Sequence, residues 1–268
     1  MSKSKNNILI KDTSENSILR LVLNDEKNRN ALSADMIVKL NDEIEKADLD
    51  DSIRVIIISA TGKTFSSGHN LKDINYARKN DDKGDAYFKN LFKRCSELMI
   101  NIVHCSKPVI AEVAGHATAA GCQLVASCDL AVASENAKFA TPGVNIGFFC
   151  STPMVALSRN VAKKHAMQML LTGEMIDSKK AYDIGLINKI TTADNLKSEV
   201  NDLAKKISEK SLMTIKLGKH AFYRQIELDL SEAYIFTSKV MEENIKKKDA
   251  IEGIEAFLKK RKPNWSDE

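Results

Sequence analysis

Short apolar runs alternate along this chain with longer stretches whose apolar positions recur every three or four residues. Ile18–Leu23, Val55–Ala60 and Val109–Val113 are rich in β-branched residues and have the composition of buried strands. Residues 87–102 have helical spacing, and Ser33 is expected to cap a helix between the first two strands. Strands that are apolar on both faces are typical of parallel sheets covered by helices. The pattern therefore predicts an α/β fold with mainly parallel pairing.

The helical pattern continues after about residue 189 without further strand-like runs. Apolar residues recur at helical spacing in four stretches, residues 196–210, 212–223, 228–245 and 250–260. We therefore expect a β-α core over residues 1–189 and a C-terminal helical region over residues 190–268. The two parts are expected to form one functional unit.

Composition narrows the class of protein. The 268 residues are 43% hydrophobic and 28% charged, which is enough apolar material for a substantial core. The net charge of +4 is weaker than the concentrated charge of a dedicated nucleic-acid binder, so nucleic acid is not the expected partner. No apolar run approaches the ~18 residues of a membrane span, and no membrane partner is expected.

The five cysteines are odd in number and contain no Cys-x-x-Cys pair, so we expect neither a disulfide framework nor a metal site. Reduced cysteines are typical of intracellular proteins. Residues 1–12 are polar and lack an apolar signal core or an arginine-rich presequence. These features predict a cytoplasmic location.

Two segments have the composition of loops that present backbone N–H groups. Residues 65–70, FSSGHN, follow a strand-like run, and residues 119–123, AAGCQ, open a helix. Small residues allow a ligand to approach a helix start closely, where unpaired N–H groups and the helix dipole suit a developing oxyanion. The alternative is that these small residues only permit a tight turn and close helix packing.

Residues 65–70, 119–129 and 139–145 resemble the crotonase superfamily, also called the enoyl-CoA hydratase/isomerase family. The resemblance runs from about Leu19 to Trp265. It implies the crotonase β-α spiral, with C-terminal helices that complete the ligand pocket and pack the chain into a homotrimer or a dimer of trimers. It also implies an acyl-CoA thioester as ligand, with coenzyme A as part of the substrate and no separate cofactor.

The resemblance implies a site that is short of acids. It assigns the two oxyanion-hole N–H groups to His69 and Ala120, whereas the two hydratase glutamates match Gln123 and Gly143. An amide cannot accept a proton at neutral pH, and glycine has no side chain. Hydration by two carboxylates is therefore not available, and isomerisation by a single glutamate at the position of Gly143 is disfavoured as well.

Three other residues could supply chemistry. The His69 imidazole titrates near physiological pH and could act as a base if it faces the ligand, or it could contribute only its backbone N–H. Asn145 could orient a carboxylate or water. Cys150 could be a nucleophile if its thiol were activated, although a buried, inert cysteine is the favoured interpretation. A decarboxylase branch with a similar Gly-His loop has a tyrosine near the position of Cys150.

The resemblance also assigns residues to coenzyme A binding. Cationic and backbone contacts are expected before the first helix, in the loop of residues 66–72, at the start of the oxyanion helix and near the carboxyl end. These residues are Lys27, Arg29, Ala31, Ser66, Gly68, Asn70, Leu71, Lys72, Gly121, Phe257 and Lys260. For Lys260 the alternative is a solvated basic helix end, which the helix dipole favours.

These observations leave three candidate functions. The first is a crotonase-type enzyme of fatty acid and acyl-CoA metabolism that is not a standard hydratase, with decarboxylation, a lyase reaction, and thioester hydrolysis as candidates. The second is a non-catalytic module that binds coenzyme A thioesters. The third is RNA binding, prompted by lysine clusters such as residues 246–248.

Overall fold

The computed structural model describes residues 7–15 and 17–268, in which two β-sheets are surrounded by helices. The strands are β1 Leu9–Glu15, β2 Ile18–Leu23, β3 Val55–Ala60, β4 Thr64–Ser66, β5 Val109–Val113, β6 His116–Thr118, β7 Leu130–Ser134, β8 Lys138–Ala140, β9 Ile176–Asp177 and β10 Lys189–Thr191. The helices are α1 Ala34–Leu49, α2 Leu71–Ala77, α3 Asp85–His104, α4 Ala120–Ser127, α5 Pro153–Asn160, α6 Lys163–Thr172, α7 Ser178–Asp183, α8 Leu196–Ser208, α9 Leu212–Gln225, α10 Leu230–Ile245 and α11 Lys248–Leu258. Short 3-10 helices span Glu26–Asn28 and Pro142–Ile146.

The larger sheet has the strand order β1-β2-β3-β5-β7-β10 in the described residues. All its neighbouring strands are parallel except β1 and β2. Its central strands are buried on both faces: Ile56 and Ile58 of β3 belong to the main core, whereas Val55 and Ile57 face a second apolar cluster. This is why the central strands read as continuous apolar runs rather than as alternating patterns.

The second apolar cluster is completed by α8. Leu196, Val200 and Ala204 of this helix pack with Val55 and Ile57 on the outer face of the sheet. These three positions follow the i, i+4, i+8 spacing of one helical face. The first helix of the predicted C-terminal region therefore covers the sheet of the core directly.

The smaller sheet determines where the candidate site lies. Strands β4, β6 and β8 are parallel neighbours, and β9 adds an antiparallel edge. Ser66 pairs with Ala117, and Thr118 pairs with Ala140. Because parallel strands end at the same edge of a sheet, the loop after β4, the start of α4 and the 3-10 helix after β8 come together there.

The predicted α/β class with mainly parallel pairing is confirmed. Ser33 caps α1 by accepting a hydrogen bond from Met36 N at 3.2 Å. The hydrophobic pattern missed β1, whose sequence LIKDTSE is largely polar, and it missed the short strands of the smaller sheet.

The strand β10 spans the boundary expected at residue 189. The division of the chain into two parts itself stays a prediction. In the part of the chain that the structure describes, no helix is both long enough and apolar enough to cross a membrane.

Candidate functional site

Two glycines bring the loop after β4 against the first turn of α4. A Cβ atom at Gly68 would lie 2.8 Å from Ala119 Cβ and 3.0 Å from Ala120 N, and Gly68 has a φ of +85°. A Cβ atom at Gly121 would lie 2.2 Å from the carbonyl oxygen of Ser66. Any side chain at either position would overlap these atoms. Glycine is therefore what allows the two backbones to touch.

The backbone N–H groups of His69 and Ala120 donate to no partner among the described residues. Ala119 N, by contrast, donates to Ala140 O at 2.9 Å and closes the edge of the smaller sheet. Ala120 is the first residue of α4, where N–H groups are unpaired and aligned with the helix dipole. The two free N–H groups, on loops in backbone contact, can hold the oxygen of a polarised carbonyl.

Ala119 makes the sharp turn between β6 and α4. Its backbone has φ 51° and ψ −121°, a combination that residues with a side chain rarely adopt. Such a conformation costs about 1–3 kcal/mol and persists only where surrounding contacts impose it. Strain of this kind collects at binding and catalytic sites, which agrees with the unpaired N–H group of the next residue.

A cavity of about 380 Å³ lies beside these N–H groups. Most of its walls are apolar. The lining residues are Ser67, His69, Leu71, Phe92, Ala119, Ala120, Pro142, Gly143, Asn145, Ile146, Phe148, Phe149, Cys150, Ser151, Thr152 and Pro153. Within this described lining there is no carboxylate, ammonium or guanidinium group. The cavity is thus suited to an uncharged group whose carbonyl reaches the two N–H donors.

His69 lies on the cavity wall as a neutral imidazole. Its Nδ1 is 3.2 Å from the carbonyl oxygen of Leu32, and since a carbonyl only accepts, Nδ1 carries the proton. Nε2 then has a free lone pair, which is buried and without a partner among the described residues. Burial lowers the pKa of His69, and the bond to Leu32 only partly opposes this effect. The ring packs edge-on against Phe92 with centroids 5.5 Å apart.

The two positions that the resemblance assigns to hydratase acids differ in their surroundings. Gln123 is buried on α4 and is not among the lining residues, and within the described chain its Oε1 has no hydrogen-bond partner. Gly143 lines the cavity at the 3-10 helix, where a Cβ atom would lie 1.9 Å from the carbonyl oxygen of Phe148. Gln123 thus leaves a polar atom available, whereas Gly143 leaves no space for a side chain.

Asn145 and Cys150 both line the cavity. Burial raises the pKa of the Cys150 thiol, with partial compensation from the N–H of Gly143. The thiol is therefore poorly ionised at neutral pH, which disfavours a nucleophilic role. The Asn145 amide packs on Gly173, whose Cβ atom would lie 2.8 Å from Asn145 Nδ2.

Hydrogen bonds join the segment before α1 to the loop after β4. Leu32 N donates to Gly68 O at 2.8 Å, and Ser67 N donates to Arg29 O at 3.1 Å. Asn70 caps α2 by accepting from Lys72 N at 3.0 Å. These contacts bring one group of the predicted coenzyme A residues together: Lys27, Arg29, Ala31, Ser66, Gly68, Asn70, Leu71, Lys72 and Gly121. The three cations of this group are exposed, and their contact with coenzyme A stays a prediction.

Phe257 and Lys260 lie apart from that group within one chain. Phe257 is 81% exposed near the end of α11, a helix that packs on α9 and α10. Lys260 is also exposed, and neither residue lines the cavity. A single copy of the chain therefore does not bring these two residues to the cavity.

Phe92 is a cavity residue that sequence reasoning missed. It lies on α3, and its ring contacts both His69 and Phe148. The helical pattern marks Phe92 as an apolar position, but it gives no sign that this position faces a cavity rather than the core. Only the packing of α3 against the site distinguishes the two.

Glu112 and Asp129, two acids near the site in sequence, have structural partners. The Glu112 carboxylate pairs with the Arg20 guanidinium. Asp129 Oδ2 accepts from Val109 N at 2.7 Å and from Lys219 Nζ at 2.6 Å. Neither carboxylate lines the cavity.

The fold and site define a class of protein: a β-α spiral in which two backbone N–H groups face an apolar cavity. Comparison with known proteins gives the same class, since residues 13–268 match the family model described as enoyl-CoA hydratase/isomerase. The chain belongs to this family, the crotonase family, and is an enoyl-CoA hydratase-domain protein. Proteins of this family bind acyl-CoA thioesters.

The similar relatives include enoyl-CoA hydratase domain-containing protein 3 of Xenopus laevis, which is 50% identical over 94% of this chain and 84% of its own length. The human protein of the same name is 48% identical over 94% of this chain and 81% of its own length. A crystal structure of human enoyl coenzyme A hydratase domain-containing protein 3 superposes with a TM-score of 0.91 at 45% identity, covering 96% of this chain and all of that one. The family resemblance and the crotonase-like spiral predicted from the sequence are confirmed.

The predicted cytoplasmic location is wrong in the light of these relatives. The Xenopus and human proteins are both named as mitochondrial. The sequence argument relied on reduced cysteines and on the absence of a recognisable presequence in residues 1–12. Reduced cysteines do not distinguish the mitochondrial matrix from the cytoplasm.

Proposed function

We propose that this chain binds an acyl-CoA thioester and polarises its carbonyl with the backbone N–H groups of His69 and Ala120. One observation carries the proposal: these two N–H groups are unpaired within the described chain and adjoin an apolar cavity. The arrangement supplies two donors for one oxygen, as an oxyanion hole requires. Coenzyme A would lie along the loop after β4, where Lys27, Arg29 and Lys72 offer positive charge for its phosphates.

Hydration by two carboxylates is excluded from this proposal. Such a mechanism needs one group that takes a proton from water and a second that handles the proton at the α-carbon. The described cavity lining contains no carboxylate, and Gly143 has no space for one. The same lining contains no cation to receive the carboxylate of a malonyl-type thioester, which disfavours decarboxylation.

Thioester hydrolysis is the reaction that we propose to test first. Among the described lining residues, His69 is the one with a neutral ring nitrogen, Nε2, whose lone pair can accept a proton. Once the ring exposes Nε2, that atom would take a proton from water as the water oxygen bonds to the thioester carbon. The two N–H groups would hold the resulting oxyanion. Collapse would break the carbon–sulfur bond, and the Nε2 proton would pass to the coenzyme A thiolate, giving a carboxylic acid and a free thiol.

A non-catalytic thioester-binding module is the second candidate. The observation that favours it is the burial of His69 Nε2, which is closed to solvent while Nδ1 is held by Leu32. A ring fixed in this orientation would contribute only its backbone N–H. Binding of acyl-CoA without turnover would then be the expected behaviour.

The proposal is tested by binding and by the vibration of the thioester carbonyl. Hexanoyl-CoA with a ¹³C carbonyl is titrated by calorimetry, and its carbonyl stretch is followed by infrared difference spectroscopy. We expect binding with a shift of the stretch to lower frequency, because two N–H donors polarise the bond. Release of free thiol over hours then separates hydrolysis from binding alone. Absence of binding, or binding with an unshifted carbonyl, would refute the proposal.

Two proline variants provide a matched comparison. Ala120→Pro removes the N–H group at the first residue of α4, and Ala34→Pro removes the equivalent group of α1, away from the cavity. Proline is tolerated at the first helical position because the N–H has no partner in the helix. Ser33, with ψ 165°, suits a following proline, whereas Ala119, with ψ −121°, would have to change its conformation, so Ala120→Pro alters this turn as well as the N–H. We expect Ala120→Pro to reduce the carbonyl shift and Ala34→Pro to leave it unchanged. Circular dichroism verifies that both variants fold, and the wild-type carbonyl shift decides the proposal if Ala120→Pro does not.

We also infer that copies of the chain associate through the C-terminal helices. Large apolar side chains are exposed on α10 and α11, among them Tyr234, Ile235, Phe257 and Leu258. Apolar surface of this extent is typical of an interface. Light scattering coupled to gel filtration should give the mass of a trimer or hexamer of the 29.7 kDa chain; a monomer at micromolar concentration would contradict this inference.

A further inference from the structure

We propose that Gly143 is a positioning residue that sets acyl specificity: it seats an aromatic wall that restricts the cavity to thioesters with an uncharged, apolar acyl group. The inference rests on the proposed function, because it takes the cavity to be an acyl-CoA site. It concerns which acyl groups that site accepts. The same glycine that removes the second hydratase acid would thereby shape the cavity.

The backbones of Gly143 and Phe148 contact each other through both of their carbonyl oxygens. Phe148 N donates to Gly143 O at 2.9 Å, and the Phe148 carbonyl oxygen lies 1.9 Å from the position of a Gly143 Cβ atom. Cys150 Sγ lies 2.9 Å from the same position. Gly147 reverses the chain between them with a φ of +71°. A side chain at residue 143 would therefore push Phe148 and Cys150 out of their positions.

Phe148, held in this way, continues a row of rings along the cavity. Its ring centroid is 5.8 Å from that of Phe92, whose centroid is 5.5 Å from that of His69. All three rings line the cavity. The row begins at His69, whose backbone supplies one N–H of the proposed oxyanion hole, and ends at the half-exposed Phe148. The acyl group of a thioester held at the His69 N–H would extend beside these rings.

The chemistry of this wall distinguishes acyl groups by charge. In the described lining, the polar side chains are those of His69, Asn145, Cys150 and three hydroxyl residues, and none of them is a cation at neutral pH. An ionised carboxylate that enters such a cavity loses its water without gaining a partner. An aliphatic acyl group instead exchanges water for aromatic carbon. We therefore expect hexanoyl-CoA to bind roughly 100-fold more tightly than succinyl-CoA.

The test measures the dissociation constants of free coenzyme A, hexanoyl-CoA and succinyl-CoA by calorimetry for the full chain and four variants. Gly143→Ala displaces Phe148, and Phe148→Ala removes the ring directly. The double variant combines them. Gly147→Ala is the control for the loop: at φ +71° it adds backbone strain to the same segment, but its Cβ atom would meet no described atom within 4 Å and so would not contact Phe148 or Cys150.

We expect Gly143→Ala and Phe148→Ala each to reduce the preference for hexanoyl-CoA roughly tenfold. The double variant should lose no more than either single variant, because both changes remove the same wall. Gly147→Ala should keep the preference, and the affinity for free coenzyme A should stay within about twofold throughout. If Gly143→Ala does not fold, Phe148→Ala and the wild-type preference decide the question.

The possible failures are distinguishable. If neither coenzyme A nor any thioester binds, the proposed function is refuted. If both thioesters bind equally well, the proposed function stands and the inference about the acyl wall is overturned. A preference for hexanoyl-CoA that survives both Gly143→Ala and Phe148→Ala would also overturn it.

Discussion

The ammonium group of Lys219 joins α9 to the core of the protein. Its Nζ donates to Ile102 O at 3.1 Å, to Lys107 O at 2.9 Å and to Asp129 Oδ2 at 2.6 Å. These three bonds use all the donors of an ammonium group. They tie the C-terminal helices to the end of α3 and to the residues that precede β5 and β7. Replacing Lys219 should therefore destabilise the whole chain.

The magnitude follows from the burial of the pair. The side chains of Lys219 and Asp129 are 7% and 15% exposed, so removing the ammonium leaves a nearly buried carboxylate without its cation. Breaking a buried pair in this way costs about 3–5 kcal/mol. Asp129 keeps the Val109 N–H at 2.7 Å and the Tyr223 hydroxyl at 2.9 Å. We therefore expect Lys219→Met to lower the free energy of unfolding by about 3 kcal/mol, at the lower end of that range.

Lys216→Met is the matched control. Lys216 lies on the same helix and is exposed, so the same substitution should change the free energy of unfolding by less than about 0.5 kcal/mol. Urea unfolding is followed by circular dichroism and by the fluorescence of Trp265, the single tryptophan. Trp265 Nε1 donates to Glu209 O at 2.8 Å, which makes the fluorescence a reporter of the C-terminal region.

Coincident transitions by the two probes would support the prediction that the core and the C-terminal helices form one unit. Lys219→Met should move both transitions together. The reasoning fails if Lys219→Met costs no more than Lys216→Met. It also fails if only the Trp265 signal shifts, because the ammonium contacts elements of the core.

Three further predictions concern the site and the thiols. Burial holds the pKa of His69 below its ordinary value of 6.5, so on acidification the unfolded chain binds a proton before the folded chain does. The free energy of unfolding should therefore fall as the pH drops below about 6.5. In urea titrations at pH 7.5 and 5.5, His69→Asn should remove this part of the pH dependence. Gln123→Glu should fold. In Gly143→Glu the new Cβ atom overlaps the carbonyl oxygen of Phe148, so this variant should lose about 1–3 kcal/mol or more of unfolding free energy in the same titrations. It should also gain no hydratase activity. Burial raises the pKa of Cys105 to about 11 and that of Cys122 to about 12. A disulfide reagent at pH 8 should therefore modify these thiols only after denaturation. Rapid labelling of the native chain would contradict their burial.

The strands of the larger sheet could be predicted from the sequence because burial on both faces leaves an uninterrupted apolar run. Val55–Ala60 and Val109–Val113 were predicted with their observed bounds for this reason. Leu9–Glu15 could not be predicted, since an edge strand is exposed and its sequence is mostly polar. The three-residue strands of the smaller sheet are too short for any periodicity to develop, although they position the site.

In the candidate site, the backbone donors could be predicted from the sequence, whereas the orientation of the His69 side chain could not. The N–H groups of His69 and Ala120 were assigned from the family resemblance of two motifs rich in small residues, and the structure leaves both groups unpaired within the described chain. The orientation of the His69 ring depends on Leu32, which is 37 positions away, and no local pattern encodes that contact.

Gly143 is the position at which sequence and structure differ most in what they imply. From the sequence alone, the resemblance makes it the position of a hydratase glutamate that this chain lacks. In the structure the space is filled by the Phe148 carbonyl oxygen, 1.9 Å from where a Cβ atom would lie. Restoring the acid would therefore require the loop of Phe148 to refold, together with the rings that it holds against Phe92. A carboxylate at residue 143 is thus excluded by the packing of the cavity wall, and introducing one would require more than the change of that residue.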